Sequence, residues 1–287
     1  MKLNLGISLL LPEYSIEQTN ILTLKNNQSE INSLQIMFTK NILSKKDIFN
    51  IKFIIKTINF KFIYVHASYK LNIGGELIPT SNDLYNIGFD IFIKEIIYAI
   101  KINADGIIIH MGKNVKRKND NDTVYNNMIT FVIKLFEKLK KNNILKKSKK
   151  KFIILFETPA GQGGEMCWDI LDFVNFILSF KSTYFYEQIG VCLDTCHIYQ
   201  AGYDLNNIKI IKKLHKILSQ IKNKIKLIHL NDSFYELGQR IDRHASIGNG
   251  FINTNNLIKF ILPYIELPLI LETKPPYQIQ FDLLNKL

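Results

Sequence analysis

Residues Gly190 to His197 read GVCLDTCH. Together with Ile189 the stretch makes an apolar run of strand length. It stops abruptly at Asp194, and an imidazole follows three residues later at His197. A carboxylate at the end of a buried strand is costly unless something compensates its charge. The stretch therefore predicts two things at once: a strand buried on both faces, and a polar site at its C-terminal end. Strands buried on both faces belong to parallel sheets covered by helices.

Working outward, seven further apolar, β-branched runs recur along the chain. They are LNLGISL (3–9), LQIMF (34–38), FIYVH (62–66), GIIIH (106–110), FIILFE (152–157), KLIHLN (226–231) and PLILET (268–273), with IGVCLD (189–194) as the sixth of the eight. The segments between them are amphipathic. From Asp204 to Ile221, for example, Ile208, Ile211, Leu214 and Leu218 follow helical spacing. Eight strand–helix units in this length fit a single-domain α/β chain, a (β/α)₈ TIM barrel over residues 1–287, with its site at the C-terminal ends of the strands. An open doubly wound sheet is the alternative, but no GxGxxG follows the first strand.

The strand ends carry His66, His110, Glu157, Asp194, His229 and Glu272, with His197, Asp242 and His244 just beyond. Five of the six histidines fall in this set; the sixth, His215, sits mid-helix among lysines and is given no role. A single histidine in such a place is ordinary core or surface. Five on one rim with four carboxylates demand a counter-charge, because packed charge is expensive without one. Bound cations supply it. Mixed imidazole and carboxylate donors favour zinc, ahead of manganese or iron. Nine candidates exceed the needs of one ion, so two or three are implied. Such a rim can activate water, clamp a phosphate and neutralise a leaving oxygen.

Composition narrows the rest. The hydrophobic fraction of 47% supports a large core, and no Pro/Gly/Ser-rich linker divides the chain. No apolar stretch reaches the ~18 residues of a membrane span. The apolar N-terminal run contains Asn4, Gly6 and Ser8, and reads as a first strand rather than a signal peptide. An intracellular protein is expected, with no membrane partner. Cys167, Cys192 and Cys196 are too few for a disulfide framework, and Cys192 reads as a small buried thiol. The formal charge of +12 favours a polyanionic partner, although the abundance of Lys, Asn and Ile also reflects AT-rich coding. The lysine cluster 138–151 precedes a strand and so belongs away from the active face. Lys113, Lys116, Arg117 and Lys118 follow one, and are the better candidates for phosphate contacts.

These residues resemble the endonuclease IV family of zinc-dependent apurinic/apyrimidinic (AP) endonucleases. GVCLDTCH matches the family's central signature in full. HLNDSFYELGQRIDRH (229–244) matches its C-terminal signature except at Phe234, where the family usually has lysine. HASYKLN (66–72) is a looser match, and FTKN (38–41), AGQG (160–163), AGYDL (201–205) and PLILET lie in family order. The resemblance implies three Zn²⁺ ions per chain, with Mn²⁺ or Fe²⁺ as possible substitutes. It assigns His66, His110 and Glu157 to the first. Glu157 bridges to the second with Asp194, His229 and Glu272, while His197, Asp242 and His244 hold the third. Asp194 and His197 would then serve different ions, the first ending a strand and the second already in the loop.

The implied reaction is hydrolysis of the phosphodiester 5′ to an abasic site in double-stranded DNA, leaving a 3′-hydroxyl and a 5′-deoxyribose phosphate. Glu157 would orient the hydroxide nucleophile, and similar enzymes also trim 3′-blocked ends. The chain is expected to act as a monomer. Tyr69 matches an aromatic that the family inserts into the duplex. Lys70 stands where an apolar wedge is common, and Leu43 where an arginine often enters the minor groove. Lys70, Lys45 and Lys46, with Lys113 and Arg243, are the expected backbone contacts. Two other readings compete. A sugar isomerase or epimerase on a similar barrel needs neither the third His/Asp/His set nor a basic surface. A non-catalytic DNA-binding barrel would have lost ligands that are all here.

Overall fold

A computed structural model of the chain describes residues 3–11, 31–38, 42–68, 71–75, 84–115 and 119–285. Eight parallel strands close into a barrel. They are β1 (Asn4–Leu11), β2 (Ser33–Phe38), β3 (Phe62–His66), β4 (Gly106–Ile109), β5 (Ile153–Glu157), β6 (Ile189–Asp194), β7 (Ile225–His229) and β10 (Pro268–Leu271). Each pairs with its sequence neighbour, and β10 closes the ring against β1. Two short strands, β8 (Asp232–Ser233) and β9 (His244–Ala245), form an antiparallel pair between β7 and β10. All eight apolar runs become barrel strands, as their burial on both faces requires.

The core has two compartments. Outside the barrel, helices lay apolar faces on the strands. In Asn121–Lys141 these are Val124, Met128, Phe131, Val132, Leu135, Phe136 and Leu139, while Lys138, Lys140 and Lys141 crowd the last turn near the helix's negative end. That lysine segment runs into the start of β5, at the end of the barrel opposite the strand C-termini. Inside the barrel sits a separate cluster of Tyr64, Ile108, Leu155, Cys192, Leu227 and Ile270. This layer fills the barrel, so any site must sit on top of it.

Local signals set the helix ends. Ser44 caps Lys45–Ile58 through a capping box with Asp47, and Asp120 and Asp169 cap the helices that follow β4 and β5. One expectation needs correction. His197 does not lie in a loop but in the first turn of a short helix, Thr195–Gln200, whose N-cap is Asp194 itself. His215 packs as structure: its Nε2–H donates to the Phe260 carbonyl at 2.8 Å, and its ring stacks on that of Phe260.

Candidate metal centre

The interior cluster explains where the site residues point. Side chains alternate across a strand, so residues i and i+2 share a face. Each member of the cluster is followed two positions later by a candidate ligand: Tyr64 by His66, Ile108 by His110, Leu155 by Glu157, Cys192 by Asp194, Leu227 by His229 and Ile270 by Glu272. The apolar plug and the polar rim are thus successive inward-facing positions on the same strands. Three remain: His197 comes from the helix Thr195–Gln200, and the β8/β9 pair brings in the other two, since His244 lies in β9 and Asp242 just before it.

Three groups form. His66, His110 and Glu157 make the first, with Glu157 Oε2 at 3.2 Å from His66 Nε2 and 3.4 Å from His110 Nε2. The other carboxylate oxygen of Glu157 lies 2.7 Å from His229 Nδ1, in a second group with Asp194 and Glu272. In the third, Asp242 Oδ1 stands 3.1 Å from His197 Nε2 and 3.2 Å from His244 Nε2. Asp194 joins both sides of this arrangement, with Oδ2 at 3.7 Å from His229 Nδ1 and 3.5 Å from His244 Nε2. All nine expected ligands converge, and Asp194 sits at the junction of the second and third groups rather than wholly in one.

The histidines are aimed by partners that sequence reading missed. His66 Nδ1–H donates to the Ala67 carbonyl and His197 Nδ1–H to the Thr158 carbonyl, each at 2.9 Å. His229 Nε2–H donates to Gln35 Oε1 at 2.7 Å. A carbonyl oxygen can only accept, so each bond puts the ring proton on the outer nitrogen and leaves the inner one facing the carboxylates. Asn231 ties two acids together, donating from Nδ2 to Asp194 Oδ2 at 2.8 Å and to Glu272 Oε2 at 3.3 Å. The signal for Asn231 was its place directly after a strand-end histidine and leucine; Thr158 and Gln35 carried no charge to mark them.

Charge balance shows that this donor set fits divalent cations. Burial opposes ionisation of Glu157, but the imidazoles of His229 and His110 hold its carboxyl well below the usual carboxylate range. Burial likewise disfavours charge on His66 and His244. The carboxylates of Glu157 beside His66, and of Asp194 and Asp242 beside His244, still raise both to about 9. Protons on these imidazoles occupy the place a metal would take. Among the described residues, the Nε2 atoms of His197 and His244 are buried with no hydrogen-bond partner, although Asp242 lies just over 3 Å away. Two buried imidazole nitrogens aimed at one point beside a carboxylate suit a cation. Cys192 lies near Glu157 and His229, but it belongs to the apolar cluster that fills the barrel, where burial pushes its thiol well above its ordinary value.

Beside the groups opens a cleft of about 680 Å³ whose wall carries Lys113, Arg243 and Lys274. Lys113 Nζ is 3.2 Å from Glu165 Oε1, and the other Glu165 oxygen accepts from the Gly161 and Gln162 backbone N–H groups. Gln162 Oε1 in turn accepts from the Asp242 backbone N–H at 3.0 Å. The AGQG stretch therefore braces Asp242. Lys274 was not singled out in the sequence, having only its position after the last strand to mark it. Lys45 and Lys46 are exposed in the first turn of Lys45–Ile58, outside the cleft wall. Leu43 is buried in the main core, whereas Phe234 stands exposed in the β8–β9 connection, its N–H donating to the Arg243 carbonyl. Tyr69, Lys70, Lys116, Arg117 and Lys118 lie outside the described residues. Among the described residues no helix is long and apolar enough to cross a membrane.

Comparison with known proteins places this geometry. Residues 31–285 match the family model described as a xylose isomerase-like TIM barrel. A probable endonuclease 4 of Mesomycoplasma hyopneumoniae (strain 7448) is 37% identical over 238 residues, covering 78% of this chain and 75% of the relative. One from Mesoplasma florum is 34% identical, covering 80% and 74%. The crystal structure of endonuclease IV from Thermus thermophilus superposes with a TM-score of 0.70 at 20% identity, covering 98% of this chain and 97% of that one. A D-tagatose 3-epimerase-like protein superposes almost as well, with a TM-score of 0.69 at 16% identity over 99% and 96%. The barrel alone therefore does not choose a chemistry. Sequence identity over three-quarters of the chain settles the family: it belongs to the endonuclease IV family of xylose isomerase-like TIM barrels.

Proposed function

We propose that this protein is a DNA repair endonuclease that hydrolyses the phosphodiester 5′ to an abasic site with three bound divalent ions, zinc foremost. The products are a 3′-hydroxyl and a 5′-deoxyribose phosphate, and the same site trims blocked 3′ ends. The observation that carries the reading is the double use of Glu157, whose two oxygens face His66 and His110 on one side and His229 on the other. Kinship with proteins named endonuclease 4 supports a nuclease.

Bound divalent ions would supply acidified water, phosphate polarisation and neutralisation of the leaving oxygen. The chain's own residues do the rest. Glu157 presents one anionic oxygen to each of two neighbouring groups and would orient the water that bound ions activate. Ala67, Thr158 and Gln35 hold the histidine rings in a fixed tautomer before substrate arrives. Asp242, braced by Gln162, collects His197 and His244 at the leaving-group side. Lys113, Arg243 and Lys274 line the approach and attract flanking phosphates.

A sugar isomerase or epimerase would have no use for the Asp242, His197 and His244 group or for three cations on the cleft wall. The deciding experiment incubates the protein, without added magnesium, with a duplex holding one abasic analogue and maps the cut. Incision directly 5′ to the lesion is expected. An intact duplex, with ketose–aldose interconversion in a parallel sugar assay, overturns the reading.

A further inference from the structure

Two of the eight barrel strands place no expected ligand at the inward position on the rim. On β1 the position is held by Ser8 and on β2 by Gln35, which pair in register with each other. Gln35 is fully buried, and every polar atom of its amide is used. Oε1 accepts from His229 Nε2–H at 2.7 Å. Nε2 donates to Glu272 Oε1 at 2.6 Å and to Ser8 Oγ at 3.0 Å. The two residues it joins, His229 and Glu272, belong to the same candidate metal group.

Resting on the metal-centre reading above, we propose that Gln35 is a positioning residue that sets which atoms of His229 and Glu272 face the second ion. The physics is one of donors and acceptors. A carboxylate at Glu272 can only accept, so the Gln35 amide nitrogen must face it, and the amide oxygen must face His229. That oxygen requires a proton on His229 Nε2, which leaves the Nδ1 lone pair turned toward Glu157, Glu272 and Asp194. The same amide occupies one oxygen of Glu272 and leaves the other, which accepts from Asn231 at 3.3 Å and lies 3.1 Å from His229 Nδ1, turned toward the group. Ser8 supplies the third anchor that keeps the amide from turning over. A neutral amide does this without adding charge to a centre already dense in carboxylates.

The test reads metal retention and ring protonation rather than cleavage. Wild-type protein, Gln35→Met and Gln35→Glu are loaded with zinc and titrated with a chelator, and long-range ¹H–¹⁵N spectra of ¹⁵N-histidine-labelled samples report each ring. The wild-type protein is expected to hold His229 as the Nε2–H tautomer. Gln35→Met should release one ion about 10- to 100-fold more readily, the others unchanged, because outer partners of ligating histidines have effects of that size. Gln35→Glu retains an acceptor for His229 and should keep its tautomer, while losing affinity through repulsion of Glu272.

A Gln35→Met protein that retains every ion like the wild type overturns the proposal. So does a His229 ring in Gln35→Glu that is not held as the Nε2–H tautomer. If Gln35→Met does not fold, the wild-type spectrum decides: a proton on Nδ1 of His229 in the loaded protein overturns the assignment, and a proton on Nε2 supports it. Failure of the wild-type chain to bind zinc would instead sink the metal-centre reading on which the proposal rests.

Discussion

The backbone N–H of His197 donates to Asp194 Oδ1 at 2.8 Å, so one candidate ligand caps the helix that carries the other. Asp194 spends one oxygen on the cap and turns the other toward Asn231, His229 and His244. Burial pushes its carboxyl up, against the pull of the His197, His244 and His229 imidazoles. Asp194→Asn should keep the cap and lower single-turnover cleavage by at least about 100-fold, in line with a lost metal-site contact. Asp194→Ala should in addition destabilise the metal-stripped protein by about 1 kcal/mol, the usual value of an N-cap. Equal melting temperatures for the two stripped variants would show that the cap carries no stability.

Glu157→Gln preserves shape and removes the charge that faces two groups. Cleavage should fall by several orders of magnitude while binding to an abasic duplex survives. A variant with more than about a tenth of wild-type turnover, a loss of only about 1.4 kcal/mol, would show that Glu157 is not the bridge.

His197 and Asp242 meet at 3.1 Å, in the group proposed above to face the leaving oxygen. His197→Ala should therefore recover when the bridging 3′ oxygen is replaced by sulfur, a better leaving group, and Glu157→Gln should not. The two rate ratios, measured on matched oxygen and sulfur substrates, check this. Equal recovery would contradict separate roles.

Glu95 is buried in the helix Leu84–Lys101, and both of its oxygens accept from the Ser68 backbone N–H at 3.3 Å. Burial raises its carboxyl from the ordinary 4.5 to about 7. An acid whose pKa is higher in the folded than in the unfolded chain makes the folded state bind the extra proton. Stability should then fall as pH rises from about 4.5 through about 7, and level off above. The loss is about 3 kcal/mol at 1.36 kcal/mol per pH unit. Glu95→Gln should flatten that segment of the profile in denaturant melts between pH 4.5 and 8. An unchanged slope would mean that Glu95 ionises freely.

Leu43 and Arg243 should behave in opposite ways. Leu43 is buried in the core, so Leu43→Ala should destabilise by about 2–5 kcal/mol and leave the salt dependence of DNA binding as it was. Arg243 stands on the cleft wall, so Arg243→Ala should leave the melt alone and reduce that salt dependence by about one phosphate contact. Affinity measured across a salt series separates the two.

The barrel and the identity of the nine convergent acids and imidazoles were legible in the linear chain. Eight apolar runs, each buried on both faces, leave few other ways to cover a parallel sheet. Charge at the end of such a run announces itself, because an apolar strand has no other reason to stop at Asp194 or Glu157. Which atoms meet was settled by folding. Asp194 sits between two groups because a helix begins at its own cap, which strand-end spacing does not reveal. Leu43 turned inward and Phe234 outward, a choice made by packing rather than by either residue's chemistry. Gln35 stayed silent in the sequence because it is neutral. It lies 194 residues from His229, and only closure of the barrel brings its amide to the ring.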